Sequence, residues 1–384
     1  MAYLSRRICA IPPSGLESFF DLLASMDDVL SLGIGEPDVP SPAAVRRAGM
    51  ASIDRGQTGY TSNAGIAELR ERIAADLATR YGVEYDPASE ILVTVGVSEA
   101  LHIAMLAIVD PGDEVLVPEP CFVSYDPCVR LADGVTRWVP THAEDGFAVR
   151  LPALEAAVSE RSRALLLSYP NNPTGAVMTR EEMLAVARFA EAHDLLVISD
   201  EIYDRFVYGI EHTCVAALPG MRERTLLMGG FSKSHAMTGW RLGYVCGPAG
   251  LIAALNRAHQ YIIMSAPTPA QLAALAAYDD GPEDVAAIVA EFARRRDVLV
   301  PALASIGLPC SEPRGAIYAF PSVAHTGLTA LEFAERLLRQ EKVAVVPGDA
   351  FGPSGAGHVR MAYTVPLPVL EEVLERIQRF VGGL

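Results

Sequence analysis

The sequence predicts an α/β fold with a mostly parallel sheet covered by helices, plus a smaller α+β unit. Three observations carry this. Short apolar runs alternate with segments of helical apolar spacing through the middle of the chain. The runs are apolar throughout rather than alternating, as in strands covered on both faces. From about residue 283 the pattern changes to a long helix, two short strands and a final amphipathic helix.

In order, the strand-like runs are "ILVTV" (91–95), "EVLVP" (114–118), "ALLLS" (164–168), "LLVIS" (195–199) and "TLLMG" (225–229). "VTVGVSEALHIAML" (93–106) passes from strand through Gly96 into a helical pattern. Between the last three runs lie "TREEMLAVARFAEAHD" and "HTCVAALPGMRER". The first opens on a Thr-x-x-Glu capping box, Thr179 to Glu182. The second sits where another covering helix is expected. Further on, a helix is expected around 283–306, strands at "AIYAF" and "KVAVVP", and a helix around 366–381. The expected division is a large domain, 42–282, and a small one made of 1–41 with 283–384.

Composition narrows the classes. The 384 residues are 51% hydrophobic and 20% charged, as in an ordinary globular protein. A formal net charge of −16 argues against nucleic acid or an anionic membrane as partner. No run of about 18 apolar residues and no signal-peptide pattern is present. Six scattered cysteines include no CxxC pair, so reduced thiols, no metal site and a cytoplasmic location are expected.

Three strand runs end in polar clusters: "ALLLS" in "YPNNPTG", "LLVIS" in "DEIY", "TLLMG" in "GFSK". Any one of them could simply end a strand. Three on successive strands should converge on one crevice beyond the carboxyl ends, where open α/β sheets bind ligands. The last cluster contains Lys233, one of two lysines in the chain beside Lys342. Arginine supplies nearly all other positive charge. Lysine can lose its proton and attack a carbonyl; arginine cannot.

A Schiff base between Lys233 and pyridoxal phosphate would need four further things. A buried carboxylate must keep the pyridine nitrogen protonated, and Asp200 follows a fully apolar strand. Its bland alternative is a helix N-cap. Tyr203 and Asn172 can donate to the ring hydroxyl oxygen. The phosphate can sit on the N–H groups of Val97, Ser98 and Glu99 at a helix start, gripped by Arg241. Phe122 in "PEPCFVSY" can cover the ring.

These motifs resemble the class I/II pyridoxal-phosphate aminotransferases of fold type I, which include aspartate, aromatic and alanine aminotransferases. "SLGIGEPDVPSP", "GYTSNAGIAELRERIA", "PGDEVLVPEPCFVSY", "YPNNPTGAV", "SDEIYDRFVY", "FSKSHAMTGWRLGY", "PRGAIYAF", "VAVVPGDAFG" and "HVRMAYT" occur in the family's order over nearly the whole chain.

The resemblance implies a homodimeric transaminase. It would move the amino group of an L-amino acid to a 2-oxo acid, 2-oxoglutarate being the expected one, by a ping-pong route. Lys233 becomes the Schiff-base lysine and proton shuttle, Asp200 the pyridinium partner, and Tyr203 and Asn172 the holders of the ring oxygen. Ser232 joins Val97, Ser98, Glu99 and Arg241 at the phosphate. Arg360, helped by Gly35 and Asn172, binds the substrate α-carboxylate. Tyr60 reaches the phosphate of the neighbouring subunit. Gly230, Phe122, Glu17 and Cys121 depart from the best-known members, and the last two leave side-chain specificity open. A lyase or cyclopropane-forming enzyme on the same scaffold, and a non-enzymatic regulator, are the alternatives.

Overall fold

The computed structural model describes residues 3–11, 17–280 and 282–384. The side chain of Glu17 lies outside the described residues. Twelve strands occur among the described residues: β1 (Leu30–Ser31), β2 (Ile91–Thr94), β3 (Glu114–Glu119), β4 (Val135–Pro140), β5 (Ser162–Leu167), β6 (Leu196–Asp200), β7 (Thr225–Gly230), β8 (Gly243–Cys246), β9 (Tyr318–Ala319), β10 (Val343–Ala344), β11 (Val346–Pro347) and β12 (Val359–Ala362).

Seven of them form the central sheet in the order β2-β8-β7-β6-β5-β3-β4. All neighbours are parallel except β8, which runs antiparallel to both β2 and β7. The five apolar runs are β2, β3, β5, β6 and β7, and all but the ends of β5, β6 and β7 are buried. Burial on both faces explains why they lack alternation. Leu101, Ile103 and Met105 of the helix Gly96–Ile108 pack on one side with Leu92, Val115 and Ile198. Met183, Val186 and Ala190 of the helix Arg180–Ala192 pack with Leu165, Leu167 and Val197 on another. The capping box is formed: the Thr179 hydroxyl accepts from the Glu182 N–H, and the Glu182 carboxylate accepts from the Thr179 N–H.

One expected helix is absent. "HTCVAALPGMRER" makes only two short 3-10 turns, Val215–Ala217 and Arg222–Arg224. Pro219 and Gly220 fall between them, and Gly220 takes φ +75°, which stops a helix.

The N-terminal segment joins the C-terminal part, as β1 pairs with β10 in parallel. Leu32 shares a core with Phe333, Leu337, Val343, Met361 and Phe380. β11, β12 and β9 form a separate three-stranded sheet, and the helices Pro282–Ser305 and Leu367–Gly382 match the expected ones. No described helix is long and apolar enough to cross a membrane.

Candidate active site

The carboxyl ends of the parallel strands open into a cavity of about 510 Å³. Each strand end delivers its polar residues there, as the switch between sheet and loop does in open α/β folds. The turn after β7 supplies Ser232 and Lys233, the end of β6 supplies Asp200 with Tyr203 beyond it, and the loop after β5 supplies Ser168 and Asn172. Phe122 comes from the loop after β3, and Val97 and Ser98 from the start of the helix that follows β2. Arg241 precedes β8, Gly35 follows β1, and Arg360 lies within β12.

Lys233 donates its amine to the Gly35 carbonyl at 2.6 Å. Lys342, by contrast, caps a helix end at the surface and donates to the Asp27 carbonyl at 3.1 Å. The scarce lysine at 233 therefore stands in the cavity and the other does not.

Asp200 is buried, and no helix starts after it, so it is not an N-cap. Its carboxylate accepts from the Tyr125 hydroxyl at 2.8 Å and from the Ile202 N–H at 3.2 Å. Burial nevertheless pushes its carboxyl up to about 6. The nearby charge of Lys233 lowers it less than the two hydrogen bonds do. A carboxylate in this state gains from a cationic ring N–H.

The helix start forms an anion cradle. Gly96 adopts φ +70°, where glycine is at ease, and a Cβ there would meet Arg241 Nη2 at 3.0 Å. The guanidinium thus lies against the N-terminal turn, beside unpaired N–H groups. Glu99 contributes its backbone N–H to that turn, while its carboxylate accepts from the Val95 N–H at 2.5 Å through one oxygen and meets His259 Nδ1 at 2.7 Å through the other.

Arg360 is 8% exposed. Its guanidinium donates to Asn172 Oδ1 at 2.9 Å and the Gly33 carbonyl at 2.7 Å, and Nε has no partner. It lies over the Tyr318 ring at 4.6 Å and the Phe351 ring at 4.8 Å. No carboxylate is within ion-pair distance among the described residues. Phe122 lines the cavity edge-to-face with Tyr125, at 5.7 Å and 81°. The Tyr203 and Tyr318 hydroxyls are 2.7 Å apart, and burial raises the Tyr203 phenol well above its ordinary range.

Of the residues expected at the site, Glu99 and Tyr60 do not line this cavity. Tyr60 is 84% exposed at the surface. Sequence reasoning missed Tyr125, Tyr318, Ser168 and Ile34, all of which line it. Tyr125 and Tyr318 stand within motifs quoted above, "PGDEVLVPEPCFVSY" and "PRGAIYAF", but nothing in their local pattern sets them apart from core aromatics.

The donor set suits a small molecule with two anionic ends and one basic ring atom. The family model for aminotransferases of class I and II matches residues 27–377. The chain belongs to that family and is an aminotransferase. A protein of Bacillus subtilis (strain 168), named only as an aminotransferase, is 49% identical over 380 residues, covering 99% of this chain and 98% of its own. An aspartate aminotransferase of Pyrococcus abyssi is 42% identical over 379 residues, covering 98% and 97%. The crystal structure of an aromatic aminotransferase from Pyrococcus horikoshii superimposes with a TM-score of 0.92 at 42% identity, covering 95% of this chain and 98% of that one.

Proposed function

We propose that the cavity holds pyridoxal phosphate. In this reading the chain transfers the amino group of an L-amino acid to a 2-oxo acid in two alternating half-reactions. The observation that carries it is Arg360, a buried guanidinium with an unpartnered Nε and, among the described residues, no carboxylate of its own, facing the same cavity as Lys233. Burying an unpaired cation is costly, so a substrate α-carboxylate is the natural complement. The cradle at Gly96 and Arg241 and the raised carboxyl of Asp200 fit the phosphate and the ring nitrogen.

When bound, pyridoxal phosphate supplies an aldehyde carbon for an amine and a protonated ring that draws electrons from it. Lys233 would hold that carbon between turnovers and, once displaced, move the proton at the substrate Cα. Asp200 would keep the ring nitrogen protonated. Tyr203 and Asn172 would fix the ring hydroxyl, and Phe122 would cover one face. Ser232, Arg241 and the N–H groups of Val97, Ser98 and Glu99 would hold the phosphate. Arg360 and Gly35 would orient the α-carboxylate so that Cα faces the amine of Lys233. The relatives' names, aspartate for one and aromatic for another, leave the side chain open.

The test is chemical. Protein loaded with pyridoxal phosphate and reduced with borohydride should carry the label on the peptide containing Lys233. A label on Lys342, or none, would sink the assignment.

Two further parts belong to this proposal. The chain works as a homodimer in the cytoplasm, with Tyr60 completing the partner's phosphate site; its 84% exposure supports that reading. Mixing Tyr60→Phe with Lys233→Ala chains should restore about one working site per dimer. No recovery once subunit exchange is confirmed would mean that Tyr60 serves its own chain. Residues 42–282 act as the large domain and 1–41 with 283–384 as the small one, supported by the pairing of β1 with β10. Amide exchange in 30–32 and 343–346 should then slow together; exchange in step with the central sheet instead would overturn the division.

A further inference from the structure

The chain caps two helices in full and one by half. At Thr179–Glu182 and at Thr329–Glu332 the threonine hydroxyl accepts from a first-turn N–H, and the glutamate reaches back to the threonine N–H. The helix Gly96–Ile108 starts after Val95, which has no side-chain oxygen to offer its first turn. Only the reach back is made: Glu99 Oε2 accepts from the Val95 N–H at 2.5 Å. The first-turn N–H groups of Val97 and Ser98, residues that line the cavity, stay free. A full capping box would spend one of those donors. The half box keeps them for an anion and still satisfies the N–H of Val95.

Glu99 is itself held. Its Oε1 meets His259 Nδ1 at 2.7 Å, and that ring, on the helix Ala249–Ile262, is fully buried. His259 Nε2 has no partner, so the carboxylate is the ring's one hydrogen-bond contact among the described residues. Val95 takes φ −78° and ψ 69°, outside helix and strand and close to an inverse γ-turn. The turn is therefore clamped at two points. β8 abuts it, since a Cβ on Gly243 would meet the Gly96 carbonyl carbon and the Val97 nitrogen at 2.8 Å. The Glu99 carboxylate holds it at Val95. Without that carboxylate the Val95 N–H and the imidazole would both lose their partner in the interior, at the place where the phosphate-facing N–H groups begin.

We propose that the side chains of Glu99 and His259 are positioning residues for the phosphate. Glu99 fixes the turn from Val95 to Ser98 so that its free N–H groups stay set for the anion, and His259 holds Glu99 in place. This rests on the reading of the cavity as a pyridoxal-phosphate site. Charge cannot be the reason for the carboxylate, because a negative group in the first turn repels a phosphate bound there. What the side chain contributes is an oxygen at the Val95 N–H. An amide of the same shape supplies that oxygen without the repulsion, so glutamine should serve at position 99 and alanine should not.

The test titrates cofactor-free protein with pyridoxal phosphate and, separately, with pyridoxal, which joins Lys233 through the same aldehyde but carries no phosphate. Absorbance reads both dissociation constants. Glu99→Ala should weaken pyridoxal phosphate at least about fivefold, the size of a lost helix cap, and leave pyridoxal unmoved. Glu99→Gln should bind pyridoxal phosphate no more weakly than the unaltered protein. His259→Leu releases Glu99 without touching the turn and should weaken pyridoxal phosphate in the same selective way, so it carries the test if Glu99→Ala does not fold. Normal pyridoxal phosphate affinity in Glu99→Ala or His259→Leu would overturn the inference, as would an equal loss of pyridoxal. Glu99→Gln as weak as Glu99→Ala would overturn it too. If the unaltered protein takes up neither compound at Lys233, the cofactor reading of the cavity is lost, and the inference with it.

Discussion

Arg360 and Arg295 are buried to a similar degree, 8% and 4% exposed, in opposite electrostatic settings. Arg295 forks onto Asp38 at 2.8 and 3.1 Å and takes Glu291 at 2.9 Å, so its charge is more than matched. Arg360 has aromatic faces and two neutral oxygens. Two carboxylates repeat the contrast four residues apart. Burial would raise Asp204, but Arg80, at 2.7 Å, and Arg205 hold it below the usual carboxylate range. Asp200 has no such partner and is pushed up to about 6. Buried charge in the scaffold is paired. Buried charge in the cavity is left for a ligand to pair, which is how function shows itself in the ion census.

The sharpest way to break this contrast is to remove each arginine. Arg295→Met strands Asp38, while Glu291 keeps Arg294, and should cost about 3 kcal/mol of folding stability. Arg360→Met removes an unmatched cation from apolar surroundings and should leave stability nearly unchanged, since an isosteric apolar replacement of buried charge is often neutral. Its kcat/KM for any α-amino acid should instead fall by the value of a buried charge contact, about 2–5 kcal/mol, or roughly thirtyfold and more. Urea denaturation beside steady-state kinetics reads both. Equal destabilisation by the two changes would show that Arg360 is scaffold.

The two kinds of site were not equally legible in the sequence. Asp200, Asn172 and Lys233 could be read because each falls just after an apolar run, where chain geometry alone sends polar residues to the crevice. Arg360 could not, since nothing local separates it from a surface arginine; only the family resemblance raised it. Tyr125, Tyr318 and Ile34 went unseen because their contacts run across 75, 115 and 330 residues of chain. β8 escaped as well: "GYVC" is four residues long, opens on glycine and runs antiparallel between two apolar strands. The segment at 212–224 was misread because its place between two strands was weighed above Pro219 and Gly220.

The smallest predicted effects sharpen the carboxylate half of the contrast. Asp200 binds its proton more tightly folded than unfolded, since its folded value, about 6, lies above the ordinary value of 3.8. Below about pH 4 the group is protonated in both states and contributes nothing. Between about pH 4 and 6 the unfolded chain loses the proton first, so stability falls as pH rises. Above pH 6 the loss is constant, about 3 kcal/mol at 1.36 kcal/mol per unit. Cofactor-free Asp200→Asn should therefore match the unaltered protein near pH 4. By pH 7 it should be more stable, by about 3 kcal/mol less the roughly 1 kcal/mol of a lost hydrogen bond. Loaded with cofactor it should be the slower catalyst, by about a hundred- to thousandfold. Tyr125→Phe removes the stronger of the two hydrogen bonds that hold the Asp200 carboxyl down, so the upper end of the pH window over which stability falls, and with it the midpoint, should move upward while the onset near pH 4 stays. The check is the stability difference from the unaltered protein, taken point by point from pH 4 to 8. A Tyr125→Phe curve with an unmoved midpoint would mean that the hydroxyl does not govern the proton on Asp200. An Asp200→Asn protein less stable at pH 7 than its parent would mean that the carboxylate is paired after all, and that the cavity resembles the scaffold more than the arginines suggest.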